Sequence, residues 1–219
     1  MAGLIANREL AGPGWDLTCY IFHSKNGSYR IDSTGSLAVT ERISPAEPPF
    51  PEEIQKRLER LMPKGVPPLA LFATLARDKR LFGKFVAGGL LDPGHLTLRQ
   101  REIVIDRVTA LCGSEYEWGV HIAFFAKRAG LDERQIASTV KRGKDDPVWS
   151  DDERALLAAC DQLHQNCDID DATWAHLRQH FSAEALLEVM MLAGFYRTVS
   201  YITNAVRLPL ETYAARFPI

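Results

Sequence analysis

Two successive predicted helices carry the side chains of this sequence that are best suited to acid–base chemistry. Glu102 lies in the first helix, and Glu117 and His121 lie in the second at positions i and i+4. Side chains four residues apart share one face of a helix. If a turn at Gly113 makes the two helices antiparallel, Glu102 lies opposite Glu117 or His121. A carboxylate that orients a histidine is a common way to hold a general acid or base near neutral pH.

The same residues also have a purely structural interpretation. Ser114 and Glu117 fit a capping box at the start of the second helix. Glu117 and His121 are equally typical of an ordinary solvent-facing pair. Tyr116 and Trp118 flank them and would form partly apolar walls, which raise the pKa of a carboxylate or lower that of an imidazole. Spacing alone therefore leaves catalysis and helix capping both open.

Helical patterns continue through the chain from about residue 50 and must position these side chains. Thr97 with Gln100 predicts a capping box at the start of the helix that holds Glu102. Helices are predicted over 52–62, 69–78, 80–91, 98–112, 114–130, 132–140, 150–165, 171–180 and 183–206. No segment after residue 50 has the alternation typical of a strand. The fold class is therefore predicted to be all-α.

The first 44 residues have a different composition. Segments 15–22 and 27–39 are rich in β-branched and aromatic residues, with a glycine-containing turn between them. This pattern predicts either a short β-hairpin or an irregular, poorly ordered extension. Prolines at positions 45, 48, 49 and 51 mark the boundary. We therefore predict an N-terminal extension over 1–44 and a helical domain over 45–219.

Three sequence strings in the helical domain form a recognisable pattern. They are LTLRQREIVIDRV, then CGSEYEWGVHIAFFAKRAGL directly after the first helix, and YRTVSYITNAV near the end. In these strings the chain resembles the carboxymuconolactone decarboxylase/AhpD-like family, from about residue 45 to residue 217. The resemblance implies an AhpD-like helical bundle, a small-molecule substrate, no cofactor and a homo-oligomer (dimer, trimer or hexamer).

One departure from the family pattern bears directly on the chemistry. In the peroxidase branch, a glutamate is followed after eleven residues by a CxxC pair, and a histidine follows after three more. Glu102 and His121 match the glutamate and the histidine, whereas Ser114 and Glu117 occupy the two cysteine positions. Peroxide reduction needs an attacking thiolate and a resolving thiol. A hydroxyl and a carboxylate supply neither, so the decarboxylase branch fits better.

The resulting hypothesis is an acid–base enzyme acting on a small organic acid or lactone. In it, His121 is the general acid/base, Glu102 orients it, and Glu117 lines the pocket or shares the proton. One alternative is a peroxidase that uses Cys112 alone, although free cysteines usually pack as small apolar residues. Another is a non-catalytic oligomeric binding protein. The residues predicted to line the pocket are Ser114, Tyr116, Trp118, Cys112, Tyr196 and Asn204.

Composition argues against several other classes of protein. Among 219 residues, 46% are hydrophobic and 25% charged, and the formal net charge is −2. These values are typical of a globular protein and predict no nucleic-acid partner. The apolar segment 186–206 is interrupted by Glu188, Arg197 and Asn204. It is therefore predicted to be a buried core helix and not a membrane span.

The cysteines and the remaining histidines show no pattern of a known site. The four cysteines form no CxxC pair, and the N-terminus lacks a secretory signal. We therefore expect a cytoplasmic protein with reduced thiols. One group of possible ligands matches no closed tetrahedral zinc pattern, so no metal site is predicted. This group consists of Cys160, His164, Cys167, His176 and His180.

Overall fold

The structure is a computed structural model that describes residues 21–24, 27–31, 37–39 and 41–218. The chain divides into two compact units, Met1–Glu41 and Arg42–Ile219. In the first unit, β1 (Ile21–Ser24), β2 (Gly27–Ile31) and β3 (Leu37–Val39) form an antiparallel sheet in the order β1-β2-β3. The β1–β2 pair is a hairpin, but the predicted second arm, 27–39, contains two strands, β2 and β3. Residues 15–20 of its predicted first arm lie outside the described residues.

Helices form the second unit, as the sequence predicts. They are α1 (Glu52–Leu61), α2 (Ala70–Leu75), α3 (Lys79–Ala87), α4 (Leu98–Leu111), α5 (Glu115–Ala129), α6 (Glu133–Lys141), α7 (Asp151–Asn166), α8 (Asp171–His180) and α9 (Ala183–Val206). A single 3-10 turn at Gly143–Asp145 connects α6 to α7. The all-α fold class predicted for this part of the chain is confirmed.

Local capping explains where α4 begins. The Thr97 hydroxyl accepts a hydrogen bond from the Gln100 amide at 3.2 Å, and the Gln100 side chain accepts one from the Thr97 amide at 3.0 Å. This reciprocal capping box satisfies two amides that a helix start leaves unpaired. The predicted capping box at this position is therefore confirmed.

The capping box predicted at the start of α5 forms only in part. Ser114 Oγ accepts a hydrogen bond from the Glu117 amide at 3.5 Å. The Ser114 amide instead donates to the Thr109 carbonyl at 2.9 Å, so it does not need the Glu117 carboxylate. This leaves the Glu117 side chain free to face another partner.

Helix α4 lies at the centre of the helical unit and packs against α5, α7 and α9. All residues from Glu102 to Thr109 are buried, including the fully buried Ile103, Val104 and Ile105. A helix that is surrounded on all sides places its polar residues in the interior as well. Glu102 and Asp106 are therefore buried carboxyl groups and not part of a solvent-facing stripe.

Helix α9 is the longest helix among the described residues. Leu192 and Val199 are fully buried against the core, as predicted for this segment. Within the described part of the chain, α9 alone has the length and the apolar composition that a membrane-crossing helix needs.

The segment that follows α9 crosses the start of α5. The Ala215 amide donates to the Gly119 carbonyl at 3.1 Å, and the Phe217 amide donates to Glu115 Oε1 at 3.0 Å. Tyr116 donates its hydroxyl hydrogen to Glu211 Oε1 at 2.6 Å. These long-range contacts fix the end of α5 that leads into the candidate site.

Candidate active site

The imidazole of His121 lies between two carboxylates from different helices. Its Nδ1 donates to Glu102 Oε2 of α4 at 2.8 Å. Its Nε2 lies 3.5 Å from Glu117 Oε1, one turn earlier on α5. The side chains of all three residues are less than a tenth exposed. The structure therefore brings together the three residues that the sequence singled out for acid–base chemistry.

A fourth ionisable group, Asp106, completes this cluster. It lies one turn after Glu102 on α4 and is 1% exposed. Burial raises the pKa of the Asp106 carboxyl well above its usual range, and the nearby Glu102 carboxylate raises it further. His121 opposes this effect only in part. Burial and the Glu102 carboxylate therefore both favour the protonated, neutral form of Asp106.

Several carboxyl oxygens of this cluster have no hydrogen-bond partner in the protein. Among the described residues these are Glu102 Oε1, Glu117 Oε2 and both carboxyl oxygens of Asp106. Buried polar atoms are normally paired, because an unpaired one costs free energy of folding. Such an unpaired cluster is typical of groups that are retained for chemistry and not for stability.

Two opposing effects set the protonation state of His121. Burial lowers the pKa of its imidazole, but the charge and hydrogen bond of Glu102, followed by Glu117, outweigh burial and raise the pKa to about 10. His121 is therefore an imidazolium at neutral pH, with hydrogens on both ring nitrogens. This state suits a general acid. A free general base, one of the two roles expected for His121, would require the neutral ring.

Aromatic rings form the walls around the imidazole. Tyr196 of α9 packs edge-on against His121 at a centroid distance of 5.0 Å, and Phe125 lies at 5.2 Å. Burial raises the pKa of the Tyr196 phenol well above its usual range, with further contributions from Glu117 and Glu102. Tyr196 therefore remains a neutral phenol beside the acid–base group.

The aromatic residues expected as walls make their polar contacts elsewhere. The Tyr116 hydroxyl bonds to Glu211 and accepts from the Leu71 amide at 3.1 Å. The Trp118 indole donates to Thr139 Oγ1 at 3.0 Å, and its ring packs on Phe217. Burial does lower the pKa of the imidazole, as expected, but the two carboxylates outweigh burial, so the net pKa is raised.

The other predicted pocket residues lie near the ends of the same helices. Ser114 Oγ is within 2.8 Å of Thr203 Oγ1 and is fully buried. Asn204 donates to the Cys112 carbonyl at 2.9 Å and so caps the end of α4. Cys112 Sγ lies 3.8 Å from His164 Nδ1. Ser114 and Asn204 thus have evident structural roles, whereas Cys112 has a neighbour capable of chemistry.

A cavity of about 200 Å³ lies between α4, α7 and α9. Its polar lining includes His164 and Arg197, and its thiols are Cys160 and Cys167. His121 and its carboxylates are not among the lining residues. This cavity therefore lies on the side of His164, the neighbour of Cys112, and is separate from the His121 cluster.

The thiol and imidazole groups considered for a metal do not assemble as one set. Cys160 is fully buried, whereas Cys167 is exposed. His176 and His180 instead meet on Asp151, with Nε2 to Oδ2 distances of 2.9 and 3.1 Å. Asp151 lies 25 and 29 residues from these histidines in the chain, so no short-range sequence pattern connects it to them.

Part of this chain matches a known protein family. Residues 79–162 match the model of the Carboxymuconolactone decarboxylase family. An uncharacterized peroxidase-related protein from Silicibacter sp. TM1040 has a similar structure, with a TM-score of 0.69 at 19% identity. The similarity covers 78% of this chain and 92% of that protein. Residues 79–162 thus match the carboxymuconolactone decarboxylase family, and the helical unit has the fold of AhpD-like proteins.

Other members of this fold have different names. An AhpD-core, uncharacterized peroxidase-related protein from Ralstonia eutropha JMP134 has a TM-score of 0.66 at 18% identity, covering 79% of this chain and 95% of that one. The debrominase Bmp8, solved in complex with 2,3,4-tribromopyrrole, has a TM-score of 0.65 at 15% identity, covering 80% and 94%. At these identities the likeness establishes the fold alone.

A relative by sequence is the uncharacterized protein YnjA of Escherichia coli. It is 27% identical over 112 residues, which is 51% of this chain. The match spans 60% of the length of YnjA. The match therefore carries no residue-level role to this chain, and the site is described from its own contacts, such as that of Glu117 with His121 at 3.5 Å.

Proposed function

We propose that the protein is a carboxymuconolactone decarboxylase-like enzyme that performs acid–base chemistry on a small organic acid or lactone. The observation that carries the proposal is the buried imidazolium of His121, held between Glu102 and Glu117. A buried group with a strongly raised pKa and specific charged partners is typical of an acid–base catalyst. The complex of Bmp8 with a small cyclic compound also supports a small-molecule substrate for this fold.

In the proposed reaction, His121 delivers a proton to carbon. The bond between the substrate carbon and its carboxylate breaks, carbon dioxide leaves, and the electron pair of that bond passes into an enolate. The Nε2 hydrogen of His121 then moves to the enolate carbon. Before that step, the positive charge of the ring stabilises the developing negative charge.

The carboxyl groups have separate roles in this scheme. Glu102 Oε2 accepts a hydrogen bond from His121 Nδ1, with 2.8 Å between the two atoms. This bond fixes the ring and leaves Nε2 as the reactive position. Glu117 lies 3.5 Å from Nε2, a long contact that a substrate can replace when the side chain rotates. A proton from solvent then restores the imidazolium, and the Glu117 carboxylate beside Nε2 can take up that proton first and pass it to the neutral ring. The raised pKa of Asp106 favours its neutral form, which limits the negative charge next to Glu102.

The test uses carboxymuconolactone, the compound in the family name, and measures release of carbon dioxide. The His121→Gln variant should lose about 10²- to 10⁴-fold in turnover, the usual contribution of a general acid. Glu102→Gln keeps the shape of its side chain but weakens the hold on Nδ1, so its turnover should also fall. The exposed His95 provides the matched control, because His95→Gln removes an imidazole outside the cluster.

Equal turnover by wild type and His121→Gln would refute the role of His121. No release of carbon dioxide by the wild type would refute carboxymuconolactone as a substrate and turn attention to the second candidate. Thermal melting of each variant, followed by circular dichroism, separates loss of chemistry from loss of the fold.

The second candidate is a peroxidase that uses Cys112. Its support is the imidazole of His164, 3.8 Å from Cys112 Sγ, beside a cavity. In such a reaction the thiolate attacks the peroxide, forms a sulfenic acid and releases an alcohol, and an external dithiol reduces the sulfenic acid. However, burial raises the pKa of the Cys112 thiol, against smaller lowering effects of Ser200 and Arg197. A raised pKa disfavours the reactive thiolate.

Peroxide turnover with an external dithiol decides between the two candidates. We expect none from the wild type. Turnover that disappears in Cys112→Ser would favour the peroxidase and contradict the first proposal. Absence of both activities would favour the non-catalytic oligomeric binding protein.

A further inference from the structure

Two histidines and an aspartate converge on one point at the surface, away from the acid–base cluster. His176 and His180 lie one turn apart near the end of α8, and Asp151 is the first residue of α7. Both Nε2 atoms point at the same atom, Asp151 Oδ2. The three ligand atoms lie within 4.8 Å of one another. The side chains are 34%, 28% and 59% exposed, so ions in solvent can reach them.

The spacing of these atoms fits the coordination sphere of a small divalent cation. Zinc bonds to histidine nitrogen and carboxylate oxygen are about 2.0–2.2 Å long, which places tetrahedral ligands roughly 3.3–3.5 Å apart. The Nε2 to Oδ2 distances of 2.9 and 3.1 Å are slightly shorter. A shift of a few tenths of an ångström per atom would therefore open the cluster around an ion.

The surrounding contacts hold the three side chains in place. Arg154 donates to Oδ1 of Asp151 at 3.3 Å, which orients the carboxylate and leaves Oδ2 facing the histidines. Gln162 of α7 joins the start of α8, because its Nε2 donates to Asp170 Oδ2 at 2.7 Å and its Oε1 accepts from the Asp170 amide at 2.9 Å. The two helices that supply the ligands are thus fixed to each other at the opposite end.

The protonation state of Asp151 suits a metal ligand. Hydrogen bonds from His176, then His180, and then Arg154 lower the pKa of Asp151 to about 2. The carboxylate is therefore charged over the whole physiological range. Metal binding would take the place of these hydrogen bonds, and it requires neutral histidines, so binding should weaken in acid.

We propose that Asp151, His176 and His180 form a surface site for a divalent transition metal of the zinc class. Two imidazole nitrogens and one carboxylate oxygen occupy three positions, and solvent occupies the fourth. This donor set suits zinc or cobalt better than calcium or magnesium, which prefer oxygen ligands alone. The ion would connect the start of α7 to the end of α8 and so stabilise the folded chain.

Titration of the whole chain with cobalt(II), followed by visible absorption, tests the site. We expect one cobalt ion per chain, a spectrum of nitrogen and oxygen ligands, and displacement by zinc. We expect each of the variants Asp151→Asn, His176→Gln and His180→Gln to weaken cobalt binding by more than about 100-fold. The loss of an outer-shell partner alone costs about 10- to 100-fold. His95→Gln, at an exposed histidine outside the cluster, should bind like the wild type.

A second measurement is the melting temperature with and without zinc. Zinc should raise it in the wild type and in His95→Gln, and a chelator should reverse the rise. The three cluster variants should not respond. No binding by the wild type, equal binding by the cluster variants, or a charge-transfer band from cysteine thiolates would each overturn the proposal. The site is independent of His121, so its variants should retain any His121-dependent activity.

Discussion

At the scale of single residues, the candidate site combines charge stabilisation with a cost in stability. Glu102 and His121 stabilise each other through a buried hydrogen bond of 2.8 Å. Asp106 has no such partner, and both of its carboxyl oxygens are buried without one. Charging Asp106 would bury a second carboxylate beside Glu102. This cost favours the neutral form of Asp106.

This difference predicts that Asp106→Asn stabilises the protein at neutral pH. Below the ordinary aspartate pKa of about 3.9, the folded and unfolded states are both protonated. Above it, the unfolded state loses the proton while folded Asp106 keeps it, so the free energy of unfolding falls as pH rises. Asparagine does not titrate. The variant should therefore be more stable than the wild type at pH 7, and this difference should shrink progressively toward acid.

Urea unfolding at several pH values measures this gain. The exposed Asp92 offers the matched control, and Asp92→Asn should leave the free energy of unfolding nearly unchanged. A loss of stability in Asp106→Asn at neutral pH would mean that the carboxylate form of Asp106 has a stabilising partner. The turnover of Asp106→Asn, measured as release of carbon dioxide, shows whether the carboxyl group of Asp106 also matters for the reaction.

At the scale of elements, α5 depends on the chain end that crosses it. A Cβ atom at Gly119 would lie 2.2 Å from the Ala215 carbonyl oxygen, far inside contact distance. The glycine therefore lets the last segment approach close enough for the Ala215 amide to bond the Gly119 carbonyl. Glu117 lies two residues before Gly119 and His121 lies two residues after it, and both belong to the candidate site.

Gly119→Ala should destabilise the protein despite the better helix propensity of alanine. We expect a loss of about 1–3 kcal/mol in the free energy of unfolding, because the displaced backbone has no flexible side chain to absorb the clash. Gly194 in α9 is the matched control, since a Cβ there meets nothing within 4 Å. Gly194→Ala should gain about 0.5–1 kcal/mol. Equal effects of the two changes in chemical denaturation would contradict the close approach at Gly119.

At the scale of the whole molecule, the family fold does not decide the reaction. Proteins of this fold carry names as different as peroxidase-related protein and debrominase. The chemistry must therefore be argued from the residues of this chain. The homo-oligomer and the cytoplasmic location stay predictions of the sequence; a particle mass of 24.5 kDa in solution, that of one chain, would contradict the former.

The helices and many of their ends follow from the sequence alone. The predicted bounds of α8 and α9 agree with the structure, and the Thr97–Gln100 capping box marks the start of α4. These features depend on periodicity and on hydrogen bonds between residues three or four positions apart. The i, i+4 pair of Glu117 and His121 was visible for the same reason.

Tertiary structure decided what these residues can do. The pKa of His121, near 10, depends on Glu102 from another helix and on burial. Asp106 lies one turn after Glu102 on α4, but the preference for its neutral form follows from burial under α5, α7 and α9 and from the Glu102 carboxylate. Likewise, Asp151 meets His176 only because α7 and α8 fold back on each other. Short-range pattern specifies the elements, whereas charge and burial depend on neighbours that are distant in the chain.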